Sequence, residues 1–209
     1  MAEKLRNIDA FRITDEEGTV FYGGDQDWLP AAEYRCEAAC GATTAANILA
    51  YHIRTKPEYR CICGALPDTK HAFVELLKDV YRYVTPGLMG TMPDIFMRGS
   101  AIFAAEHGFT VTSRMMQIPS RLSKRPAFAD AANFLEEAFE AEEPVAFLNL
   151  SNGGVKNLDS YHWVTAVSVD RAQECIRIVD NGNLLTVSLG GWLAGSTLGG
   201  ALLAFTVEK

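Results

Sequence analysis

The feature that most constrains the fold of this 209-residue chain is a change in hydrophobic pattern at Pro144. Before it, apolar residues recur at about every third or fourth position, a spacing typical of helices. After it come short alternating or fully apolar runs separated by turn residues, a pattern typical of strands. Because helices and strands are grouped rather than alternating, the sequence predicts an α+β fold and not a series of βαβ units.

The first part of the chain carries four helical patterns. They cover the run ATTAANILAYHI after Gly41 and residues 70–84, 93–108 and 130–143. The run after Gly41 is small and apolar nearly all round, which predicts a buried helix. The segment 93–108 begins with proline and ends with glycine, the asymmetry expected of a helix start and stop.

Five strand-like runs follow Pro144, namely VAFLNLS, YHWVTAVSVD, CIRIVDNG, LLTVSL and GALLAFTVEK. We expect them to form consecutive antiparallel strands, with Asn181–Gly182 as a two-residue hairpin turn. The apolar stretch at 189–205 is interrupted by glycines, which predicts a turn, a helical turn and a closing strand. The prediction is a single domain over 1–209, with a helical part at about 36–143 and a sheet part at about 144–209.

The charge of the chain bears on its partners. The formal net charge is −7, which argues against nucleic acid because a phosphate binder needs a basic face. The small basic cluster Arg121–Lys124–Arg125 predicts a solvated loop. The charged N-terminal stretch lacks an apolar signal-peptide core, and no segment is long and apolar enough for a membrane span. We therefore expect a cytoplasmic location, and leave the oligomeric state open.

The chain has five cysteines. Cys36, Cys40, Cys61 and Cys63 could together form a four-thiolate zinc site, but their C-x3-C and C-x-C spacings differ from the C-x2-C of zinc knuckles. The alternative for Cys36, Cys61, Cys63 and Cys175 is that they are buried or half-buried structural thiols. No metal and no cofactor is predicted.

Cys40 differs from the other cysteines because it stands where a helical pattern begins. The dipole and free N–H groups of a helix start favour the thiolate, which is the nucleophilic form. A thiol nucleophile also needs a base, usually a histidine from elsewhere in the chain. A third group must hold that imidazole in the correct tautomer.

Of the four histidines, His162 fits the role of base best. His52 lies on the same predicted helix as Cys40, roughly 18 Å along it, while His71 and His107 sit at helix ends and read as surface or capping residues. His162 heads a strand, and the expected hairpin folds Asp180, at the end of the next strand, back beside it. Asn181 is adjacent to Asp180 and is the alternative orienting residue.

These segments carry a resemblance to a known family. CGATTAANILAY resembles the nucleophile helix of papain-like cysteine peptidases, and is nearest to the bacterial group that includes the double-glycine leader peptidases. HWVTAV followed by IVDNGN resembles the histidine and aspartate strands of that group. The resemblance implies a papain-like fold with the nucleophile helix packed on a C-terminal antiparallel sheet. It also implies Cys40 as nucleophile, His162 as general base and acid, and Asp180 as the orienting residue.

The family also carries a glutamine shortly before the cysteine, whose side-chain amide helps to form the oxyanion hole. Gln26 is the only glutamine upstream of Cys40 and lies further away than is usual, so residues such as AAEYRCEAA would have to loop out. The other reading of Gln26 is a plain turn residue. Cys36 is a further departure from the family pattern. As an alternative nucleophile it would leave the glycine-started helix out of register. It could instead form a protective or regulatory disulfide with another thiol.

The function predicted from these residues is a cysteine hydrolase that cleaves a peptide or related amide through a thioester acyl-enzyme. Its partner would be a peptide or protein substrate. An acyltransferase with the same triad is a close variant. A papain-fold binding or regulatory module without chemistry is the second hypothesis, and a structural zinc protein is the third.

Overall fold

Among residues 3–208, four of the five α-helices precede Pro144 and five of the nine strands follow it, so the change at Pro144 predicts most of the arrangement but not the four earlier strands. The structure, a computed structural model, describes residues 3–208. Over that range the α-helices are α1 (Cys40–Thr55), α2 (Lys70–Tyr81), α3 (Pro93–Glu106), α4 (Phe128–Glu140) and α5 (Leu189–Gly195). The β-strands are β1 (Glu3–Lys4), β2 (Arg12–Thr14), β3 (Val20–Tyr22), β4 (Thr110–Ile118), β5 (Val145–Asn149), β6 (His162–Asp170), β7 (Cys175–Asp180), β8 (Asn183–Ser188) and β9 (Gly200–Glu208).

Seven strands form one antiparallel sheet, which confirms the predicted α+β class. The strand order is β4-β9-β5-β6-β7-β8, and β1 pairs with β6. The prediction of consecutive neighbours is correct for β5 to β8 and wrong for β9, which pairs with β5 instead of β8. The physical reason is burial: β5 and the first six residues of β9 are buried on both faces, whereas five of the six residues of β8 are exposed or half-buried, which suits a sheet edge.

The described chain forms two compact units. The sheet unit contains the residues up to Arg6, Ser113–Val179 and Leu184–Phe205. The helical unit contains Asn7–Thr112, Asp180–Asn183 and the residues from Thr206 on.

In the sheet unit, α4 packs against β6 and β1 and also contacts α5. The rings of Phe147 and Trp192 meet edge to face at 4.7 Å. The prediction of a solvated basic cluster is wrong for Arg125. Its guanidinium is half-buried and donates hydrogen bonds to the carbonyl oxygens of Pro119, Ser120, Leu193 and Ser196.

In the helical unit, α1 is buried along nearly its whole length, as its composition predicts. It packs against α2, α3 and short 3-10 turns on either side of it in the sequence. Tyr51 stacks on Phe11 at 5.1 Å between ring centroids. The alanine, glycine and threonine residues of α1 are small, so neighbouring elements can pack close to its backbone.

The predicted two-residue turn between β7 and β8 is present. Asn181 and Gly182 have φ values of 42° and 74°, the left-handed conformations of the favoured hairpin turn. The backbone of Gly182 donates to the Gly24 carbonyl at 3.1 Å and accepts from the Tyr22 amide at 2.8 Å. The turn is therefore held by backbone hydrogen bonds to the last residue of β3 and to the segment that follows it.

No helix among residues 3–208 has both the length and the apolar character needed to cross a membrane.

Candidate active site

Cys40 is the first residue of α1, as the sequence predicts. The preceding residue, Ala39, provides no side-chain cap, and the first turn carries no acidic residue. The amide groups at the start of a helix lack intrahelical partners, and the helix dipole favours negative charge there. Cys40 is 8% exposed, so it is buried at the positive end of a 16-residue helix.

Gly41 allows a neighbouring loop to lie directly against the start of α1. A Cβ atom at position 41 would come within 2.5 Å of the Thr91 Cβ. Thr91 ends a loop whose tip is a tight turn, closed by reciprocal backbone hydrogen bonds between Gly87 and Gly90. Leu88, at that tip, is 98% exposed.

Gln26 is the first residue of a 3-10 turn, Gln26–Trp28, in which the Asp25 side chain accepts a hydrogen bond from the Asp27 amide at 2.9 Å. This turn packs against a second 3-10 turn, Cys36–Ala38, which leads into Cys40. The fold thus brings Gln26 back to the segment that precedes the candidate nucleophile, although the sequence separates them by 14 positions. The Gln26 Oε1 atom is buried without a hydrogen-bond partner among the described residues.

Cys36 is held by its surroundings rather than presented to solvent. Its Sγ donates to the Leu29 carbonyl oxygen at 3.3 Å. Burial raises the pKa of the Cys36 thiol, and the negative charge of Asp27 raises it further. Both effects favour the protonated, unreactive form of this thiol.

His162 is the first residue of β6 and is 8% exposed. It stands directly opposite Asn149 of β5, so the two side chains share one face of the sheet. The Asn149 Oδ1 accepts a hydrogen bond from the Trp192 indole at 2.8 Å, and its Nδ2 donates to the Asp159 carbonyl oxygen. His162 therefore lies beside a buried polar pair that the sequence analysis missed.

The signal for that pair is visible in VAFLN, where a polar residue ends a wholly apolar strand. A buried amide needs hydrogen-bond partners, so Asn149 predicts a polar neighbourhood. The partner could not be identified, because the strand register and the position of α5 are not encoded in any local pattern.

Asp180 is the last residue of β7 and is half-buried. The antiparallel register of β6 and β7 runs to the pair Thr165↔Val179, one residue before Asp180. Asn181, the alternative orienting residue, occupies the hairpin turn. Cys40, Gln26 and Asp180 belong to the helical unit, and His162 belongs to the sheet unit.

The other histidines have separate environments. His71 is exposed near the start of α2, and His107 caps α3 with its Nδ1 2.8 Å from the Phe103 carbonyl oxygen. His52 is buried within α1, and neither of its ring nitrogens has a hydrogen-bond partner among residues 3–208. Burial, with a smaller effect from Lys56, lowers the pKa of His52 to about 3.

All five cysteines are thiols rather than disulfides. Within the described part of the chain, no three His, Cys, Asp or Glu side chains are grouped closely enough to hold a metal ion. The Sγ atoms of Cys61 and Cys63 instead lie against the backbone carbonyl oxygens of Glu58 and Ala65. Cys63 is half-buried, as predicted for a structural thiol, whereas Cys61 is exposed, which corrects that prediction.

No protein-family model matches the sequence, and a search of curated proteins finds no match.

Proposed function

We propose that this protein is a papain-like cysteine hydrolase that cleaves a peptide or related amide bond through a thioester intermediate. The observation that carries the proposal is the position of Cys40 as the first residue of α1, without an acidic neighbour in that turn. A thiolate is stabilised at such a position by the helix dipole and by free backbone amides.

The remaining roles rest on the elements that carry each residue. His162 is proposed as general base and acid, and Asp180 as the group that orients it. The start of β6 and the end of β7 lie at the same end of an antiparallel pair, which supports the assignment of both residues. Gln26 is proposed to help the Cys40 amide stabilise the oxyanion, supported by the packing of its turn against Cys36–Ala38.

In the proposed reaction, the Cys40 thiolate attacks the amide carbonyl carbon and forms a tetrahedral oxyanion. The C–N bond then breaks, and the imidazolium of His162 gives its proton to the departing amine. A water molecule, losing a proton to the neutral imidazole, attacks the thioester. The C–S bond then breaks, the acid product leaves, and the Cys40 thiolate is restored beside the imidazolium that took the proton of the water. An amine in place of water would yield acyl transfer by the same residues.

Site-resolved alkylation tests the proposal. A limited dose of iodoacetamide at about pH 6, where an ordinary thiol is almost entirely protonated, is followed by peptide mass spectrometry of all five cysteines. Accessibility alone favours Cys61, which is exposed, over Cys40, which is buried. We expect Cys40 to react first in the native protein, and to lose this preference in His162→Ala.

Two matched variants separate the assignments. Asp180→Ala should slow Cys40 alkylation, whereas Asn181→Gly, which keeps the turn, should leave it unchanged. Cys36→Ala is the control for the neighbouring thiol and should not alter the Cys40 rate. First labelling of Cys61, with Cys40 inert in every variant, would contradict the proposal.

The burial of Cys40 supports a second candidate, a papain-fold binding or regulatory module without chemistry. Such a module would hold Cys40 as an ordinary core thiol, and the inert outcome of the alkylation experiment is its expected result. We further propose a reducing compartment such as the cytoplasm for either function, because all five cysteines are thiols.

A further inference from the structure

Two cysteines outside the candidate active site lie close together on the surface of the helical unit. Cys61 is exposed and Cys63 is half-buried, and both are thiols. One residue separates them in the sequence, so their Cα atoms are at most about 7 Å apart. A disulfide joins Cα atoms that are about 4.4–6.8 Å apart. The spacing therefore allows the two sulfurs to be joined.

The segment that carries the pair is anchored at both ends and open between them. Before it, Tyr59 is buried, and its hydroxyl donates to the Val207 carbonyl oxygen at 2.7 Å. After it, the Asp68 carbonyl oxygen accepts from the Thr14 amide at 3.0 Å. The residues between these anchors, 60–66, are all exposed or half-buried. A change confined to this segment therefore leaves the packing of its two ends intact.

Each of the two thiols lies against a nearby backbone carbonyl. The Cys61 Sγ donates to the Glu58 carbonyl oxygen at 3.4 Å, and the Cys63 Sγ donates to the Ala65 carbonyl oxygen at 2.8 Å. A thiol is a weak donor, so either sulfur loses little when it turns away from its carbonyl. There is also open space beside the pair, because a Cβ atom at Gly64 would meet no atom within 4 Å.

The two thiols differ in a way that sets the order in which they react. Burial raises the pKa of the Cys63 thiol, and the negative charge of a Cys61 thiolate acts in the same direction to a smaller extent. The exposed Cys61 is therefore the thiol that meets a disulfide from solution. Once the Cys61 sulfur is bonded to another sulfur it carries no charge, and this second effect on the pKa of Cys63 is removed. Cys63 then ionises more easily, as the second attacking thiol must.

We propose that Cys61 and Cys63 form a redox-active dithiol that is oxidised by a small disulfide such as glutathione disulfide. The Cys61 thiolate attacks one sulfur of that disulfide, whose S–S bond breaks to release a glutathione thiolate. The Cys63 thiolate then attacks the Cys61 Sγ, and the second glutathione leaves as a thiolate. The protein loses two electrons and two protons, and the oxidant becomes two molecules of glutathione.

This activity is separate from the proposed hydrolase and does not involve Cys40. A disulfide closed over a single residue, Ile62, forms a short loop, and a short loop gains little stability from its bond. Exposed disulfides are also readily reduced. Excess reduced glutathione should therefore restore both thiols by the same exchange in reverse.

The test follows the pair in the full native chain. The protein is equilibrated with stepped ratios of reduced to oxidised glutathione at about pH 8, where an ordinary thiol is partly ionised. It is then quenched in acid, blocked with N-ethylmaleimide and digested with trypsin. Cleavage after Arg60 and Lys70 places both cysteines on one peptide. We expect this peptide to lose two hydrogens and both maleimide labels as the oxidised fraction rises, with little bound glutathione.

Three variants test the roles of the two thiols. Cys63→Ser should stop the reaction with glutathione bound to Cys61, and Cys61→Ser should abolish the internal disulfide. Cys175→Ser is the matched control, because Cys175 is also half-buried but has no cysteine two positions away. This control should leave the yield of the internal disulfide unchanged.

The decisive result comes from the native chain, so it does not depend on the folding of a variant. Glutathione that stays on Cys61 in the native chain to the same extent as in Cys63→Ser would overturn the proposal. So would a disulfide that joins Cys61 to a cysteine other than Cys63, or a pair that keeps both thiols at ratios where Cys175 is modified.

Discussion

At the scale of single residues, His52 shows how burial controls the charge of a side chain. It lies in α1 between the rings of Tyr51 and Tyr59, at centroid distances of 6.0 and 5.8 Å. Its ring nitrogens have no described hydrogen-bond partner, and Lys56 is the charged group whose field adds to the effect of burial. The folded protein therefore holds His52 neutral, with its pKa lowered to about 3.

This burial predicts acid sensitivity. Above the unfolded pKa of about 6.5 both states are neutral, and the full stability is present. As the pH falls from about 6.5 to about 3, only the unfolded chain takes up the proton, and stability drops by roughly 1.4 kcal/mol per pH unit. His52→Phe should remove this dependence. Urea unfolding should show the variant losing about 3 kcal/mol less than the native protein between pH 7 and about pH 4.5.

The control for that experiment is His71→Gln, because His71 is exposed. Its pH dependence should match that of the native protein. Equal loss of stability in His52→Phe and in the native protein would contradict the prediction, since the acid sensitivity would then arise from other groups.

The sequence was sufficient to predict the local positions of the candidate site residues. Cys40 starts a helix and His162 starts a strand, because small-residue and apolar patterns mark these boundaries. The sequence was not sufficient to place Asn149 beside the candidate site, because that position depends on which residue of the neighbouring strand Asn149 faces. Register and long-range hydrogen bonds are determined by tertiary packing, and no local pattern reports them.

At the scale of elements, the contact between α1 and Thr91 opposes helix propensity. Alanine is a better helix former than glycine by about 1 kcal/mol, so propensity alone favours Gly41→Ala. The added Cβ would nevertheless come within 2.5 Å of the Thr91 Cβ, and overpacking of this kind typically costs about 1–3 kcal/mol. The steric effect is the larger one.

We therefore expect Gly41→Ala to lower the free energy of unfolding by up to about 2 kcal/mol in urea titrations. Gly64→Ala is the matched control, because a Cβ there meets no atom within 4 Å, and its effect should stay within about 0.5 kcal/mol. Combining Gly41→Ala with Thr91→Gly should destabilise less than the sum of the two single changes. A stabilising Gly41→Ala would contradict the tight contact.

The bounds of the helices and strands were predicted better than the order of the strands in the sheet. The helices at 70, 93 and 130 and the strands after Pro144 follow from periodicity, and their ends differ by only a few residues from the prediction. The pairing of β9 with β5 and the addition of β1 to β6 were missed. A two-residue strand is too short to give a pattern, and strand order depends on how α5 directs the chain after β8.

At the scale of the whole molecule, the state of the cysteines predicts that a reductant does not change the stability of the protein. All five are thiols, and the Cys36 thiol is held by the Leu29 carbonyl oxygen rather than by another sulfur. The free energy of unfolding with and without dithiothreitol should agree within about 0.5 kcal/mol, whereas a disulfide typically contributes about 2–4 kcal/mol. Thiol titration of the denatured, untreated protein should count five groups. A lower count, with a reductant-dependent midpoint, would show that a regulatory disulfide forms.

The helical unit contains segments that are far apart in the sequence, and this affects how it folds during synthesis. Its N-terminal segment near Tyr22 and Gly24 is completed by the turn at Gly182, and Tyr59 donates to the Val207 carbonyl oxygen at 2.7 Å. A ribosome releases the early segments about 160 residues before these late ones, a delay of roughly 10–30 s at usual elongation rates. During that interval the nascent helices lack these contacts, so residues that emerge later determine when the earlier ones finish folding.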